Sequence, residues 1–293
     1  MTATTTDETI VTVSRAGERR TGQRGGRLLV WLALFVVCVL MLSPVLWTAA
    51  SVTKPTDVAF LNPPVLTYHP TFQAFVDLWQ TTNFYRYLAN TLVVALIATV
   101  LALGLGIPAA YALSRYPRWI SAVLLILALI FRALPRFSVL LPMYEISREL
   151  GVYDTTFAVA VALVAINQPF SIWLLRNFFA EIPKELDEAA MIDGCSRLQV
   201  LVRIMVPLMR PGILTAGIFV FLFAFQEYLT ALILTDVNAR TVPVFIATQL
   251  GQTLPMLQQA GAAAILLTLP VIGFAFIAQR HLVTGLSAGS VKG

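Results

Sequence analysis

The stretch that decides the fold reads Glu181-Ile-Pro-Lys-Glu-Leu-Asp-Glu-Ala-Ala-Met-Ile-Asp-Gly194 and continues through Cys195-Ser-Arg-Leu-Gln-Val-Leu-Val-Arg-Ile-Met-Val-Pro207. It is the longest charge-rich segment between apolar runs. Pro183 suits the first position of a helix, where its missing N–H costs nothing, and acids follow near the positive end of the helix dipole. Gly194 suits the left-handed conformation that ends a helix. The stretch therefore predicts a short helix followed by a sharp turn.

A second helix is predicted directly after this turn. Ser196 and Gln199 have the spacing of a capping box, which marks a helix start. A regular apolar stripe follows, formed by Leu198, Leu201, Val202 and Met205. Pro207 and Pro211 then interrupt the pattern. The whole segment is predicted to be a helix-turn-helix between two membrane spans.

The composition indicates a polytopic, all-α membrane protein. Of the 293 residues 58% are apolar and 12% are charged, whereas soluble domains carry about a quarter charged residues. Six apolar runs predict six transmembrane helices, at about 28–50, 87–114, 119–146, 156–179, 212–235 and 259–282. The first run is too long for a signal-peptide core and is interpreted as an uncleaved helix. In the first outer loop, Phe72, Phe75, Val76 and Trp79 have helical spacing, which fits a helix lying in the membrane interface or one packed on protein.

The distribution of positive charge predicts the orientation. Residues 1–27, the 115–118 loop, the 176–210 region and the C-terminal end hold 14 of the 20 Lys and Arg residues. By the positive-inside rule both termini and the 181–207 loop are cytoplasmic. Basic residues placed beside spans reflect topology, so they do not indicate a nucleic-acid partner.

The residues of the opening stretch resemble a known family. Glu188-Ala189-Ala190, then Gly194 and Ile204-x-x-Pro207, match the EAA loop of the binding-protein-dependent permeases of ABC importers, with Val206 in place of the usual Leu. Pro169-Phe-Ser-Ile-Trp-Leu-Leu-Arg-Asn-Phe-Phe179 is similar to the carbohydrate-importer subfamily. The terminal Gly285-Leu-Ser-Ala-Gly-Ser-Val-Lys-Gly293 resembles the tail of its maltose-type second permease.

This resemblance implies a type I ABC importer permease fold of a bacterial or archaeal cell membrane. It implies a cytoplasmic tail over 1–27, a six-helix permease domain over 28–286 and a cytoplasmic tail over 287–293. The 181–207 segment is then the coupling loop. An ATPase dimer would dock on residues 183–194, and the coupling residues would be Glu188, Ala189, Ala190, Asp193, Gly194 and Pro207. Ser287, Lys292 and Gly293 would reach the ATPase subunits.

The further partners that the resemblance implies are a second, homologous permease, an extracytoplasmic solute-binding protein and membrane lipids. This chain would hold no metal or cofactor, because ATP and magnesium are bound by the partner ATPase subunits. Lipid is a competing partner for the 183–194 helix. The segment's net charge of −3 favours protein, since anionic lipid repels it.

Polar residues inside apolar spans are costly and usually face a cavity or a partner. The candidates for a solute path are Asn90, Arg132, Arg136, Asn167, Gln168, Gln226 and Glu227. Arg132 and Arg136 are four residues apart, so on a continuous helix they share a face and line a path; alternatively they snorkel or pair with Glu227. Gln226-Glu227-Tyr228 departs from the family's usual Trp-Asn-Asp.

The sequence favours a permease subunit of an ATP-driven importer of a carbohydrate-type solute. A polyol or a glycerol phosphate is the alternative solute. The alternative from another class is an intramembrane enzyme that uses Glu227, Arg132 and Arg136, although the chain carries no recognised catalytic motif. A passive channel would not need the loop.

The charge distribution predicts where the coupling loop lies. In a variant carrying Cys38→Ser and Cys195→Ser, a cysteine introduced by Lys184→Cys should react with an impermeant thiol reagent only after the membrane is opened. Thr67→Cys, in the predicted outer loop, should react in intact cells. Labelling of the Lys184→Cys variant from outside would contradict the orientation.

Overall fold

The computed structural model describes the backbone of residues 22–288 and the side-chain surroundings of residue 27 and residues 29–276. Its longer helices are α1 (Gly22–Val52), α3 (Gln73–Thr81), α4 (Phe84–Arg115), α5 (Arg118–Arg132), α6 (Arg136–Glu149), α7 (Thr156–Ala180), α8 (Glu185–Ile192), α11 (Arg210–Phe225), α13 (Val242–Gln249) and α14 (Leu254–Ala288). Short helices are α2 (Thr56–Ala59), α9 (Arg197–Gln199), α10 (Val206–Leu208) and α12 (Leu229–Leu234), and a π-helical segment covers Val200–Met205. The predicted tail residues Lys292 and Gly293, most of the 1–27 tail and the Ser287 side chain lie outside this description.

The chain divides into two units, one ending at Trp47 and the other beginning at Thr48. The first unit contains helix α1 up to Trp47, which from Leu28 onward is apolar on all sides, as a membrane span requires. The second unit contains every other helix. All remaining packing described below lies within the second unit.

Four single helical segments are long and apolar enough to cross a membrane: Leu29–Val52, Phe84–Arg115, Thr156–Ala180 and Leu254–Phe276. They correspond to the predicted first, second, fourth and sixth spans. Two bent pairs bring the count to six if each pair is one span, namely α5 with α6 and the 197–208 segment with α11. The prediction of an all-helical polytopic fold is confirmed, and the count of six stays a prediction.

The predicted third span is not one helix. Helices α5 and α6 are bent by 80° at residues 133–135. Pro135 occupies the N-cap of α6 with a ψ of 126°, outside the helical range, and it has no N–H to continue α5. Consequently Arg132 ends one helix and Arg136 begins the next. The expectation that both arginines share one helical face is wrong.

The predicted fifth span is interrupted as well. Helix α11 ends at Phe225, and residues 226–228 separate it from α12. The Glu227 carboxylate accepts hydrogen bonds from the Thr230 backbone N–H and hydroxyl, both at 3.2 Å, which stabilises the start of α12 outside a continuous helix. At the other end, an 81° bend separates α10 from α11 between Pro207 and Pro211.

Small residues let the central helices α4, α7 and α11 approach closely. Ala98 and Ala102 of α4 and Ala160 of α7 are buried in one apolar cluster. At Gly212 of α11, a Cβ atom would lie 2.8 Å from the Phe178 ring, so only glycine fits. Close backbone approach through small residues is the usual way in which membrane helices associate.

The short helix of the first outer loop, α3, packs on this chain. Ala74 and Leu78 are buried in a cluster with Phe84 and Phe245. These two residues lie on a different face from the predicted one. Of the predicted apolar stripe, Phe72, Val76 and Trp79 remain exposed, whereas Phe75 packs partly against the cluster.

A single carboxylate holds the 236–239 loop in place. Asp154 has a φ of 58°, a left-handed conformation that aspartate tolerates better than most residues. Its two oxygens accept hydrogen bonds at 2.8–3.2 Å from four successive backbone N–H groups, those of residues 236–239. Partial burial raises the pKa of the Asp154 carboxyl, but these four N–H donors outweigh it and lower that pKa to about 2.

Replacing this carboxylate should release the loop. Asp154→Asn removes charge-assisted hydrogen bonds, each of which contributes about 1.5 kcal/mol or more. It also places an NH2 group, which cannot accept a hydrogen bond, against the backbone N–H donors of the loop. We expect tryptic cleavage at Arg240 to accelerate about tenfold. Because the folded pKa is depressed, the stabilisation is present above the ordinary value of 3.8 and is lost as the pH falls through about 2. Asp57→Asn, an exposed control, should leave the cleavage rate unchanged.

Candidate functional site

The first helix of the coupling loop, α8, begins two residues later than predicted. It covers Glu185–Ile192, and Pro183 precedes it. Its end is a Schellman motif, because the N–H of Gly194 bonds to the Met191 carbonyl and the N–H of Cys195 bonds to the Ala190 carbonyl. Gly194 has a φ of 89°, and a Cβ there would meet no atom within 4 Å. The predicted left-handed turn at Gly194 is confirmed.

The predicted capping box is also present. The Ser196 hydroxyl accepts from the Gln199 N–H at 3.3 Å, and the Gln199 side chain accepts from the Ser196 N–H at 2.7 Å. The chain after it continues through α9, the π-helical segment and α10 to Leu208. The helix-turn-helix is therefore fixed by local hydrogen bonds that the sequence specifies.

Most of the predicted coupling residues are exposed. Glu188, Ala189, Asp193, Gly194 and Pro207 are all accessible on the surface of the loop. The exception is Ala190, which is buried in a cluster with Val200 and Met205. Ala190 therefore packs α8 on its own chain.

The loop also presents two exposed apolar side chains: Ile192, which the sequence did not single out, and Leu198, which belongs to the predicted apolar stripe. Ile192 is 85% exposed and Leu198 is 69% exposed, at the end of α8 and the start of α9. They flank Gly194 on either side of the turn. An exposed apolar pair beside the acidic side chains of Glu188 and Asp193 is typical of a surface that a protein partner covers.

One arginine attaches the coupling loop to the membrane helices. The Arg115 guanidinium, at the end of α4, forms a close ion pair with Asp187 of α8. Its Nη1 also donates to the carbonyls of Phe179 and Ile182, at 3.3 and 3.2 Å, at the end of α7. Only 16% of the Arg115 side chain and 8% of the Asp187 side chain are exposed. One cation thus joins α4, α7 and α8.

Sequence reasoning missed this pair. Arg115 contributed only to the orientation, and Asp187 only to the acids that suit the start of a helix. The available signal was a basic residue at the end of one span and an acid in the loop that follows a neighbouring span. That signal identifies a partner only once α4 and α7 are known to be adjacent.

Arg136 and Glu227 meet where the two interrupted helices come together. Nη1 of Arg136 lies 2.6 Å from a carboxylate oxygen of Glu227, and the Glu227 side chain is 10% exposed. The other carboxylate oxygen accepts from Thr230. For Arg136, pairing with Glu227 is therefore the alternative that the structure supports.

Arg132 has a different environment. Its guanidinium carbon lies 5.1 Å from the ring centroid of Phe170 and 5.7 Å from that of Phe223. Its Nη1 is buried and has no hydrogen-bond partner within the described residues. Arg132 and Arg136 both line a cavity of about 180 Å³ between α5, α6 and α7.

The other candidates for a solute path are separated. The Asn90 amide donates to the Asn238 and Arg240 carbonyls of the outer loop, and Asn167 donates to the Leu163 carbonyl within α7. Gln168 donates to the Ala102 carbonyl of α4, and its Oε1 is buried without a donor in the part of the chain that the structure describes. Gln226 lines a second cavity with Pro243, Ile246, Leu267, Thr268 and Val271. Of the seven candidates, only Arg132, Arg136 and Glu227 form a cluster.

Comparison with known proteins identifies the family. The family model "Binding-protein-dependent transport system inner membrane component" matches residues 102–288. The chain is 38% identical over 270 residues to a probable ABC transporter permease of Sinorhizobium fredii, covering 92% of this chain and 97% of the relative. It is 34% identical over 272 residues to the trehalose/maltose transport system permease MalG of Thermococcus litoralis, covering 91% and 97%.

A solved structure supports the fold. A chain of a bacterial ABC transporter that imports the polysaccharide alginate superposes with a TM-score of 0.73 at 20% identity, covering 90% of this chain and 99% of that one. The family model and both relatives describe transport components, which decides against the intramembrane enzyme. The chain therefore belongs to the family of binding-protein-dependent transport system inner membrane components, the permease subunits of ABC importers.

Proposed function

We propose that this permease carries a carbohydrate across the cell membrane, with its coupling loop as the attachment site of an ATPase subunit. The observation that carries the proposal is the coupling loop itself, whose EAA residues lie on helix α8, are exposed except for Ala190, and are followed by the left-handed turn at Gly194. The carbohydrate class is supported by relatives named for trehalose and maltose transport. A polyol or glycerol phosphate remains the alternative solute.

The surface around Gly194 fits a docking role. Glu188 and Asp193 offer carboxylates, and Ile192 and Leu198 offer apolar area, all on the exposed side of the loop. Buried apolar side chains surrounded by polar groups make up a usual protein interface. We assign this surface to the ATPase, in a cytoplasmic orientation that the positive-inside rule supports.

The Arg115–Asp187 pair gives the loop a mechanical connection to the spans. A force on α8 acts directly on the end of α4, because the ion pair and the carbonyl hydrogen bonds leave Arg115 little freedom. In this proposal the pair positions the loop and transmits its movement. Arg115 and Asp187 are thus positioning residues.

The remaining parts of the machine are proposed from the family. A second permease would complete the membrane domain, and an extracytoplasmic binding protein would deliver the solute. Partner ATPase subunits would bind ATP and magnesium, with none held by this chain. Residues 287–293 would form a cytoplasmic tail, in which Ser287, Lys292 and Gly293 would reach those subunits.

A side chain at Gly194 should uncouple transport. In the left-handed region a non-glycine residue costs about 1 kcal/mol, and a β-branched residue costs more, which is enough to redirect a short helix but not to unfold the packed spans. Gly194→Val should therefore reduce recovery of the ATPase with the permease and reduce trehalose or maltose uptake. Glu188→Ala should have the same effects, because it removes a carboxylate from the docking surface. Ser196→Ala should cost only the cap, about 1 kcal/mol.

Gly251 provides the matched control. It has a φ of 78° with open space around it, so Gly251→Val introduces the same backbone strain outside the coupling loop. ATPase recovery should be normal for this variant. Normal recovery and normal uptake in both Gly194→Val and Glu188→Ala would refute the proposed role of the loop.

The positioning pair should show strong coupling in a double-mutant cycle. Arg115→Ala or Asp187→Ala each leaves a largely buried charge without its partner, which costs about 3 kcal/mol. The double variant should lose less than the sum, because no unpaired charge remains. Thermal unfolding of the purified permease provides the measurement, and ATP hydrolysed per solute imported should rise in each variant. Glu185→Ala, an exposed acid on the same helix, is the control, and additive losses would argue against the pair.

A further inference from the structure

Two helices of the membrane domain are interrupted, and a side-chain contact joins the two interruptions. Helix α5 is interrupted at residues 133–135 and α11 at residues 226–228. Irregular backbone is tolerated at membrane depth only where it is buried in protein or lines a cavity. The contact between Arg136 and Glu227 joins the two interruptions, and the cavity lined by Arg132 and Arg136 lies beside the first.

If each helix starts at the membrane surface, its length carries the interruption most of the way across the hydrocarbon layer. Helix α5 has 15 residues and α11 has 16. At 1.5 Å per residue each advances about 22–24 Å across a hydrocarbon layer of about 30 Å. Arg132, the last residue of α5, is therefore far from the end at which that helix starts.

The charges around the cavity do not balance. Arg136 is neutralised by Glu227, and the remaining oxygen of Glu227 is occupied by Thr230. The walls of the cavity, as far as the structure describes them, carry Arg132 and Arg136 and no acid. The Nη1 of Arg132 is buried and lacks an acceptor among the described residues. A partly buried cation without a counter-ion is costly in a membrane protein, and such groups usually have a function.

Aromatic rings surround the unpaired guanidinium. Phe170 and Phe223 contact Arg132, and their centroids are 5.3 Å apart. Trp173 and Phe219 extend the group, with centroids 6.0 and 6.2 Å from that of Phe170. Trp173 and Phe223 are more than one-third exposed, so this aromatic surface is accessible. Flat apolar surface beside a few placed polar groups is typical of small-molecule sites.

We propose that Arg132 binds an acidic group of the transported carbohydrate, a carboxylate, sulfonate or phosphate, while the sugar ring packs on the aromatic surface around Phe170 and Phe223. The inference rests on the proposed function and names the solute more narrowly, as an anionic sugar derivative. A planar guanidinium presents paired N–H donors that match two oxygens of an oxyanion. The aromatic faces hold the guanidinium without consuming those donors.

Glucose and glucuronate are the probes, since they are similar in size and differ by a carboxylate. Binding of each is titrated on the assembled importer in nanodiscs by saturation-transfer NMR, which detects weak ligands. We expect the wild type to bind glucuronate at least about tenfold more tightly than glucose, as a charge-assisted contact would provide. Arg132→Gln should abolish the preference, and Arg132→Lys should retain part of it.

Arg118→Gln is the matched control. It removes one positive charge from the exposed first residue of the same helix and should leave the preference intact. Should Arg132→Gln fail to assemble, the wild-type comparison and Arg132→Lys still decide the question. Equal affinity for the two sugars, binding of neither, or an unchanged preference in Arg132→Gln would overturn the proposal. Equal affinity would also be the result if an acid of the second permease neutralised Arg132.

Failure of the proposed function has a separate readout. Uptake of labelled carbohydrates is measured in proteoliposomes supplied with the binding protein and ATP. If no carbohydrate enters while the glucuronate preference persists, the carbohydrate class is wrong and the oxyanion site at Arg132 stands. If neutral sugars enter and glucuronate is not preferred, the carbohydrate class stands and the oxyanion site is wrong.

Discussion

The contact between Arg115 and Asp187 is the constraint on which the cytoplasmic half of the molecule depends. Two charges with little exposure are stabilised only as a pair, so the end of α4 and the start of the coupling loop must stay together. The same guanidinium satisfies carbonyls at the end of α7, where a helix leaves acceptors unbonded. The apolar cluster that contains Ala190 and Met205 also packs the coupling loop against α4 and α7.

Much of the fold was accessible from the sequence because membrane helices and helix ends are local properties. The length of the apolar runs predicted four spans to within a few residues of their ends. The residue types at the helix ends predicted the turn at Gly194 and the cap at Ser196. These features depend on neighbours a few positions away. The coupling residues were predicted from the 181–207 stretch alone. The ion pair of Asp187 with Arg115 was not predicted.

The interruptions at residues 133–135 and 226–228 could not be predicted from local pattern. Prolines lie inside five other helices without ending them, at Pro44, Pro108, Pro142, Pro169 and Pro270. Pro135 differs through its tertiary surroundings, in which Arg136 reaches Glu227 on a distant part of the chain. A pair separated by 91 positions leaves no periodicity to detect. The distinction between a paired Arg136 and an unpaired Arg132 arises only in three dimensions.

The carboxylate of Asp154 has a consequence for how the 236–239 loop meets other molecules. Four backbone donors converge on two oxygens of the same chain, so the loop is already ordered before any encounter. Ordering a flexible segment at the moment of association opposes binding, and here that entropy is lost during folding instead. A partner that touches this loop therefore encounters a rigid template, and its dwell time reflects the contacts made and not the cost of immobilising the loop.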